Sequence, residues 1–404
     1  MINSGFMAPT FLDLLVLTGR CIDSEGIYIC GERASEKARQ EHSEHTAWAS
    51  RGEKTPFLPF SADLRWWFAE HYHAGTLDEA TKGIDLDCLG LPKRPAPQEG
   101  IYRVNFDPDS GIEFRDHWEG EKVVYKNGGY PGRLHTLEII TPRGTLRAKE
   151  QYVSYTFGIR EYPVKEAEDL DILAYIFENA EVEALPGYKD REIGWIQAPK
   201  TPVQALIVEL AGVENLSFLM ADYPEKVENV MDKIYSLDTQ IYQLIADSRS
   251  PGAGTCENLS AENSGGYWDA FLKPQLKGLA DILHQKGKKL NIHHDGTLKP
   301  LFGKLKDAGV DIVNGVTCAP VGDILPEELR DIAGNDIVIE GIIPQSIFTP
   351  WFSEEQFETY IRKVIHCFRD DYKIILGIGD MLPLDGKIER VEKTVKLAKE
   401  LSAR

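Results

Sequence analysis

Lys289–Gly296 reads KLNIHHDG, and both fold and chemistry turn on how it is read. Leu290 and Ile292 mark a short apolar strand that ends in His293, His294 and Asp295, and Gly296 then turns the chain toward a helix. Two imidazoles and a carboxylate are poor core material, because charged side chains are seldom buried without a partner. They are good site material, because ligands of α/β folds gather at the carboxyl ends of strands. The plainer reading makes Asp295 the N-cap of the next helix. It does not explain why other strands end the same way.

Those other strands lie on both sides. Ile193–Ala198, Asp311–Thr317, Asp336–Ile343 and Lys373–Ile378 are runs carrying Ile, Val and Leu, and Ala253–Glu257 is a short strand ending in Cys256-Glu257-Asn258. Helical stretches separate them, among them 224–247, 268–285, 298–308, 326–332, 353–368 and 388–401. Near-continuous apolar strands alternating with helices imply a parallel sheet buried on both faces. With this many units a (β/α)8 TIM barrel is the leading architecture, and a doubly wound open sheet is the alternative. No GxGxxG or GxxxxGK[ST] follows a strand, which weakens a nucleotide-binding version. The first barrel strand is expected at Thr55–Phe60, entering a helical segment that carries Trp66 and Trp67.

Residues 1–54 read as an N-terminal helical extension and 55–404 as the barrel domain. Within it, 100–160 alternates apolar and polar residues between the turn signals DPDSG, KNGG and TPRG. That is antiparallel hairpin patterning, and it is expected to form an inserted β subdomain.

In a parallel barrel all strands end at one face. Glu257-Asn258, His293-His294-Asp295, Thr317, Glu340 and Asp380 would therefore converge without being near in sequence. Such a cluster can hold a cation through oxygen and nitrogen ligands. It can equally supply acid–base groups whose pKa values crowding drives apart.

A formal charge of -19 argues against nucleic acid and against anionic membranes as partners. The six cysteines at 21, 30, 88, 256, 318 and 367 contain no CxxC pair and read as reduced thiols, which places the protein in the cytoplasm. No run of 18 apolar residues suggests a membrane span. The N-terminal stretch lacks a basic region and reads as an ordinary helix rather than a signal peptide.

HHDG after an apolar strand resembles the H-x-[CD]-G motif of the uroporphyrinogen decarboxylase superfamily. LGIGDMLPLDGKIERVEKTV (376–395) resembles that superfamily's last strand and helix. TPRGTLRAKEQYV (141–153) and EYPVK (161–165) resemble a hairpin of its corrinoid-dependent methyltransferase branch. The decarboxylases open with an arginine-rich RQAGR motif for substrate carboxylates. The matching PFSADLRWWF (59–68) keeps only Arg65.

The resemblance to the O-demethylase component implies methyl transfer from a methoxylated aromatic to Co(I) of a separate corrinoid protein, under anaerobic conditions. It also implies zinc, with Glu257 and His293 matching the first and last members of an acid-rich zinc motif whose middle position falls on Leu272. On this reading Asp295 or His293 donates a proton to the leaving phenoxide or holds the metal. Glu257 and Asp380 tune them, and Glu257, His293 and Asp295 are the metal candidates. Trp66, Trp67, Tyr267, Trp268, Asn258 and His294 are the expected substrate contacts. No cobalamin-binding DxHxxG motif occurs, so the corrinoid would arrive on its partner. The alternatives are a decarboxylase, a methylthiol- or methylamine:corrinoid methyltransferase, and a non-catalytic ligand-binding barrel.

Overall fold

The computed structural model describes residues 52–64, 67, 101–125, 128–130, 132–153, 156–190 and 195–403. The expected N-terminal helices and Trp66 lie outside these residues. In chain order the elements begin with β1 (Phe60–Asp63), β2 (Tyr102–Phe106), β3 (Glu113–Glu119), β4 (Val123–Tyr125), β5 (Gly128–Tyr130), β6 (Leu134–Thr141), β7 (Gly144–Val153) and β8 (Thr156–Glu161). Then come α1 (Ala167–Glu178), β9 (Ala180–Ala184), β10 (Ile196–Ala198), α2 (Pro202–Ala205), α3 (Val213–Asp222), α4 (Pro224–Asp247), β11 (Gly252–Leu259) and α5 (Ala261–Ser264). The last are α6 (Lys273–His284), β12 (Lys289–His294), α7 (Lys299–Phe302), β13 (Ile312–Thr317), α8 (Leu329–Ala333), β14 (Val338–Ile343), α9 (Glu354–Phe368), β15 (Ile374–Met381) and α10 (Ile388–Leu401). The class is α/β, with seven parallel strands among the described residues where a complete (β/α)8 barrel has eight.

The chain divides into two compact units. The first contains the described residues of Pro97–Asn258 and Gly266–Leu290. Here β10 and β11 pair in parallel. β3, β6, β7 and β8 form an antiparallel sheet in that order, and β2 pairs with β9. The alternation over 100–160 thus does make antiparallel strands. They share a unit with α1 and α4, and α1 packs on both β7 and α4. α4 buries Val227, Val230, Met231, Ile234, Leu237, Ile241 and Ile245, a stripe at helical spacing.

The second unit contains Leu259–Gly265 and Asn291–Arg404, with β1. Its parallel strands run in the order β1-β15-β14-β13-β12. β1 begins at Phe60, later than the expected Thr55, because the prolines at 56 and 59 withhold backbone donors. The helix expected over 298–308 breaks into α7 and a 3-10 turn at Lys306–Ala308. Two irregularities face each other in the sheet. β13 slips register between Val313 and Val316, and the β14 residues opposite, Gly341 and Ile342, have φ of 109° and 84°. A β-branched residue seldom takes the left-handed conformation.

α10 is locked by one buried cation. Arg390, 2% exposed, donates from Nη1 to the carbonyls of Ile347 (2.8 Å) and Thr349 (2.6 Å), and from Nη2 to that of Phe352 (2.6 Å). Its Nε and Nη2 also reach Glu354 Oε1 at 2.8 and 2.7 Å. Arg390→Ala would leave three carbonyls without their donor, so it should lower unfolding stability by about 3 kcal/mol. Glu354 is more than half exposed, and Glu354→Gln should cost no more than about 1 kcal/mol. Urea unfolding of the two variants checks the contrast.

Candidate active site

Strand β12 sorts its residues by parity. Leu290, Ile292 and His294 are buried, while Asn291, His293 and then Asp295 are half-buried on the alternate positions. His293 is in register with Asn314 of β13. Val313 is opposite Ile339, and the register shifts beyond it, so Asn314 and Glu340 follow where the pairing is irregular. Glu340 is opposite Ile375, and Gly377, two residues on and therefore on the same face, is opposite Ser61. Polar side chains thus occupy neighbouring strands: His293, Asn314, Glu340 and, two residues further along, Ser61.

The first two are hydrogen-bonded in a defined sense. Asn314 Nδ2 donates to Asn291 Oδ1 at 2.8 Å. This turns Asn314 Oδ1 toward His293 Nδ1, 2.7 Å away, so Nδ1 carries the hydrogen. His293 Nε2 then stands 3.7 Å from Asp295 Oδ1. Burial pushes the Glu340 carboxyl up from the ordinary carboxylate range, while a Ser61 hydrogen bond and the His293 charge pull it down. Gly315 makes room for the imidazole. Its φ is 76°, and a Cβ there would stand 2.4 Å from His293 Cε1.

His294 is not a substrate contact. It is fully buried, meets Phe302 edge-on with ring centroids 6.3 Å apart, and burial depresses its pKa to about 4. Two of the expected aromatic contacts, Trp67 and Trp268, lie in the core. Trp67 is 6% exposed and donates Nε1–H to the Gly386 carbonyl at 2.7 Å. Trp268 is 1% exposed. The Tyr267 hydroxyl lies 3.0 Å from Ser217 Oγ. Asn258 is half-buried with φ 52°, and its carbonyl accepts from Gln204 Nε2. Asp380 lies exposed near the end of β15.

Glu257 belongs to a different setting. Ala253, Thr255, Glu257 and Leu259 form the buried face of β11. The Glu257 carboxylate accepts Thr201 N–H at 3.0 and 3.2 Å and Thr201 Oγ1–H at 2.8 Å, at the start of α2. Beside it Lys200 pairs with Glu209 at 2.9 Å, both nearly inaccessible. Burial pushes the Glu257 carboxyl up against the pull of Thr201 and Lys200. Asp238 and Tyr242 of α4 complete this buried cluster, and burial, then the Glu257 charge, raises the pKa of each. Glu257 therefore anchors a helix start instead of facing a ligand. Among the described residues no three His, Cys, Asp or Glu side chains are grouped to hold a metal ion.

Sequence reading missed Asn291, Asn314 and Ser61 as site residues, and placed Glu340 only at a strand end. The signal available was polarity: Asn291 and Asn314 interrupt runs that otherwise read as buried strand.

Residues 183–401, more than half of the chain, match the family model for uroporphyrinogen decarboxylase (URO-D). The chain belongs to that family. No curated protein sequence matches it. Among solved structures it is similar to a methyltransferase from Methanosarcina mazei at 11% identity, covering 89% of this chain and 98% of that one with a TM-score of 0.47. It is also similar to a D-psicose 3-epimerase solved in the presence of D-fructose, at 10% identity over 58% of this chain and 92% of that one, with a TM-score of 0.30. No helix among the described residues is long and apolar enough to cross a membrane.

Two results are expected. The folded chain withholds a proton from His294 down to about pH 4, whereas an unfolded histidine takes one near 6.5. The unfolded state then binds more protons in that window, so stability should rise with pH across it, by roughly 2 kcal/mol between pH 5 and 7. Urea midpoints at the two pH values should converge in His294→Leu. Separately, Gly315→Ala should destabilise by about 1–3 kcal/mol and shift the His293 imidazole resonances in NMR spectra.

Proposed function

We propose that this protein is a methyltransferase that takes the methyl group of an aryl methyl ether and passes it to a reduced corrinoid carried by a separate protein. The observation that carries the reading is the Asn291–Asn314–His293 chain. It fixes the hydrogen on Nδ1 and sets Nε2 beside Asp295. An aryl ether is a neutral substrate whose difficulty lies in its leaving group, since a phenoxide departs poorly unless it is protonated. A positioned imidazole meets that need. Asp295 supplies a negative partner for the charged ring, and Asn314 keeps its plane fixed.

A reduced corrinoid, if delivered by the partner, would supply the electron pair that displaces the ether oxygen from the methyl carbon. The oxygen would leave with the bonding electrons and take the proton from His293 Nε2, giving a neutral phenol. The groups around His293 are neutral amides and carboxylates, which suit an uncharged ether better than a substrate bearing many carboxylates. The reduction of the arginine-rich opening motif to Arg65 points the same way.

The test is methyl transfer from guaiacol or veratrole to a reduced corrinoid on a carrier protein, followed by its absorbance and by phenol release. His293→Gln should lower the rate by about 10²-fold or more with the fold intact, the usual size of a lost general acid. Transfer from methylthiols or methylamines but from no methoxyarene would replace the donor. A His293→Gln variant at full rate would remove His293 from the chemistry.

A further inference from the structure

Asp295 is the first residue beyond β12, so its place beside His293 depends on the turn that carries it. That turn, Asp295–Leu298, is tied on two sides. On one side the Asp295 amide donates to the Leu259 carbonyl at 2.9 Å, and Ala261 N–H donates to the Thr297 carbonyl at 2.9 Å. On the other stands a single carboxylate from the loop after β13, Asp323. It accepts Leu298 N–H at 2.8 Å and Lys299 N–H at 3.3 and 3.2 Å, open donors at the start of α7. Such bonds to a charged acceptor are the stronger kind. Asp323 does not cap the helix of its own segment, since Glu328 holds the N-cap of α8. Its loop is closed on itself: Ala319 N–H donates to the Ile324 carbonyl at 2.9 Å and Gly322 N–H to that of Cys318 at 3.1 Å. Tyr360 of α9 also donates its hydroxyl to the Ala319 carbonyl at 2.7 Å. A carboxylate on a closed loop thus grips a turn 25 residues away in sequence.

We propose that Asp323 is a positioning residue for the proton donor: it holds the turn after β12 so that the Asp295 carboxylate stands at the Nε2 edge of His293. The inference rests on His293 being that donor and adds the residue that sets its partner. Asp295 leaves the chain between two fixed points, the end of β12 at His294 and the Asp323 tether at Leu298. Releasing the second point lets the turn pivot about Gly296, whose φ of 65° lies in the left-handed region. A shift of about an ångström in a group set against reacting atoms costs a large factor in rate. The tie between Lys299 and Glu328, at 3.0 Å, joins two exposed side chains and does not reach the backbone of the turn.

Position is tested first and rate second. In NMR spectra of the full chain, Asp323→Ala should move the amide resonances of Asp295 and Gly296 and the ring resonances of His293. Asp323→Asn keeps an oxygen that can accept the Leu298 amide and should restore them. Glu328→Gln should leave them in place. If Asp323→Ala does not fold, Asp323→Ser, whose hydroxyl is too short to reach the turn, replaces it. In methyl transfer from guaiacol to a reduced corrinoid, the Ala or Ser variant should lower kcat about tenfold with KM little changed, and Asp323→Asn should recover most of the loss. Resonances unmoved in whichever of the two folds would overturn the role of Asp323, as would moved resonances at full kcat. A displacement of equal size in Asp323→Asn would assign the effect to lost charge and overturn the tether. Absence of transfer from every methoxyarene in the unaltered protein would remove the donor reading instead, and the hold of Asp323 on Asp295 would still be decided by the resonances.

Discussion

Strands that run in one direction in fixed register decide everything in the second unit. In a parallel pair each residue has one neighbour at the same height, and side chains alternate faces with period two. A polar residue placed at the matching height on successive strands then makes a line across the sheet. His293 and Asn314 make such a pair. A slip of one residue on any strand would send that side chain to the apolar face. The opposite face of β12, with Leu290, Ile292 and the neutral His294, resists the slip because it is packed.

Glu257 and Glu340 show how little residue type decides. Both are strand carboxylates that burial pushes upward. Glu257 lies beyond the reach of solvent, with both oxygens bonded to Thr201, and ties a helix start to a strand. Glu340 keeps partial exposure and looks toward a histidine. The first is an anchor, and the second is a carboxyl that burial raises against the pull of Ser61 and the histidine.

Much of this was legible in the chain. Apolar runs separated by helices gave the parallel strands within a few residues, and α10 coincides with the expected 388–401. The parity of β12 was readable too, since Leu290 and Ile292 share alternation with His294 and not with His293. Ala253 and Leu259 likewise share parity with Glu257, which marked it for the buried face. The conclusion that all strand-end polar groups converge overlooked that alternation. The links Asn314 to His293 and Ser61 to Glu340 join residues 21 and 279 positions apart in sequence, and a single chain's pattern carries no register between distant strands. The aromatic contacts failed for another reason: Trp67 and Trp268 are large apolar surfaces, and burying them is worth more than exposing them to a pocket.

Ile342 has a consequence for anyone seeking a hardier version of this protein. It is fully buried two residues after Glu340, with its backbone in a conformation that costs a β-branched residue about 1–3 kcal/mol. Glycine would relieve the backbone there, but it would empty the space of a whole isoleucine side chain, a loss of about 2–5 kcal/mol. The two effects are of similar size and opposite sign. A stabilising search that ranks positions by backbone comfort would choose this residue first and gain nothing. The reserve of stability has to be sought away from the strand that carries the acid.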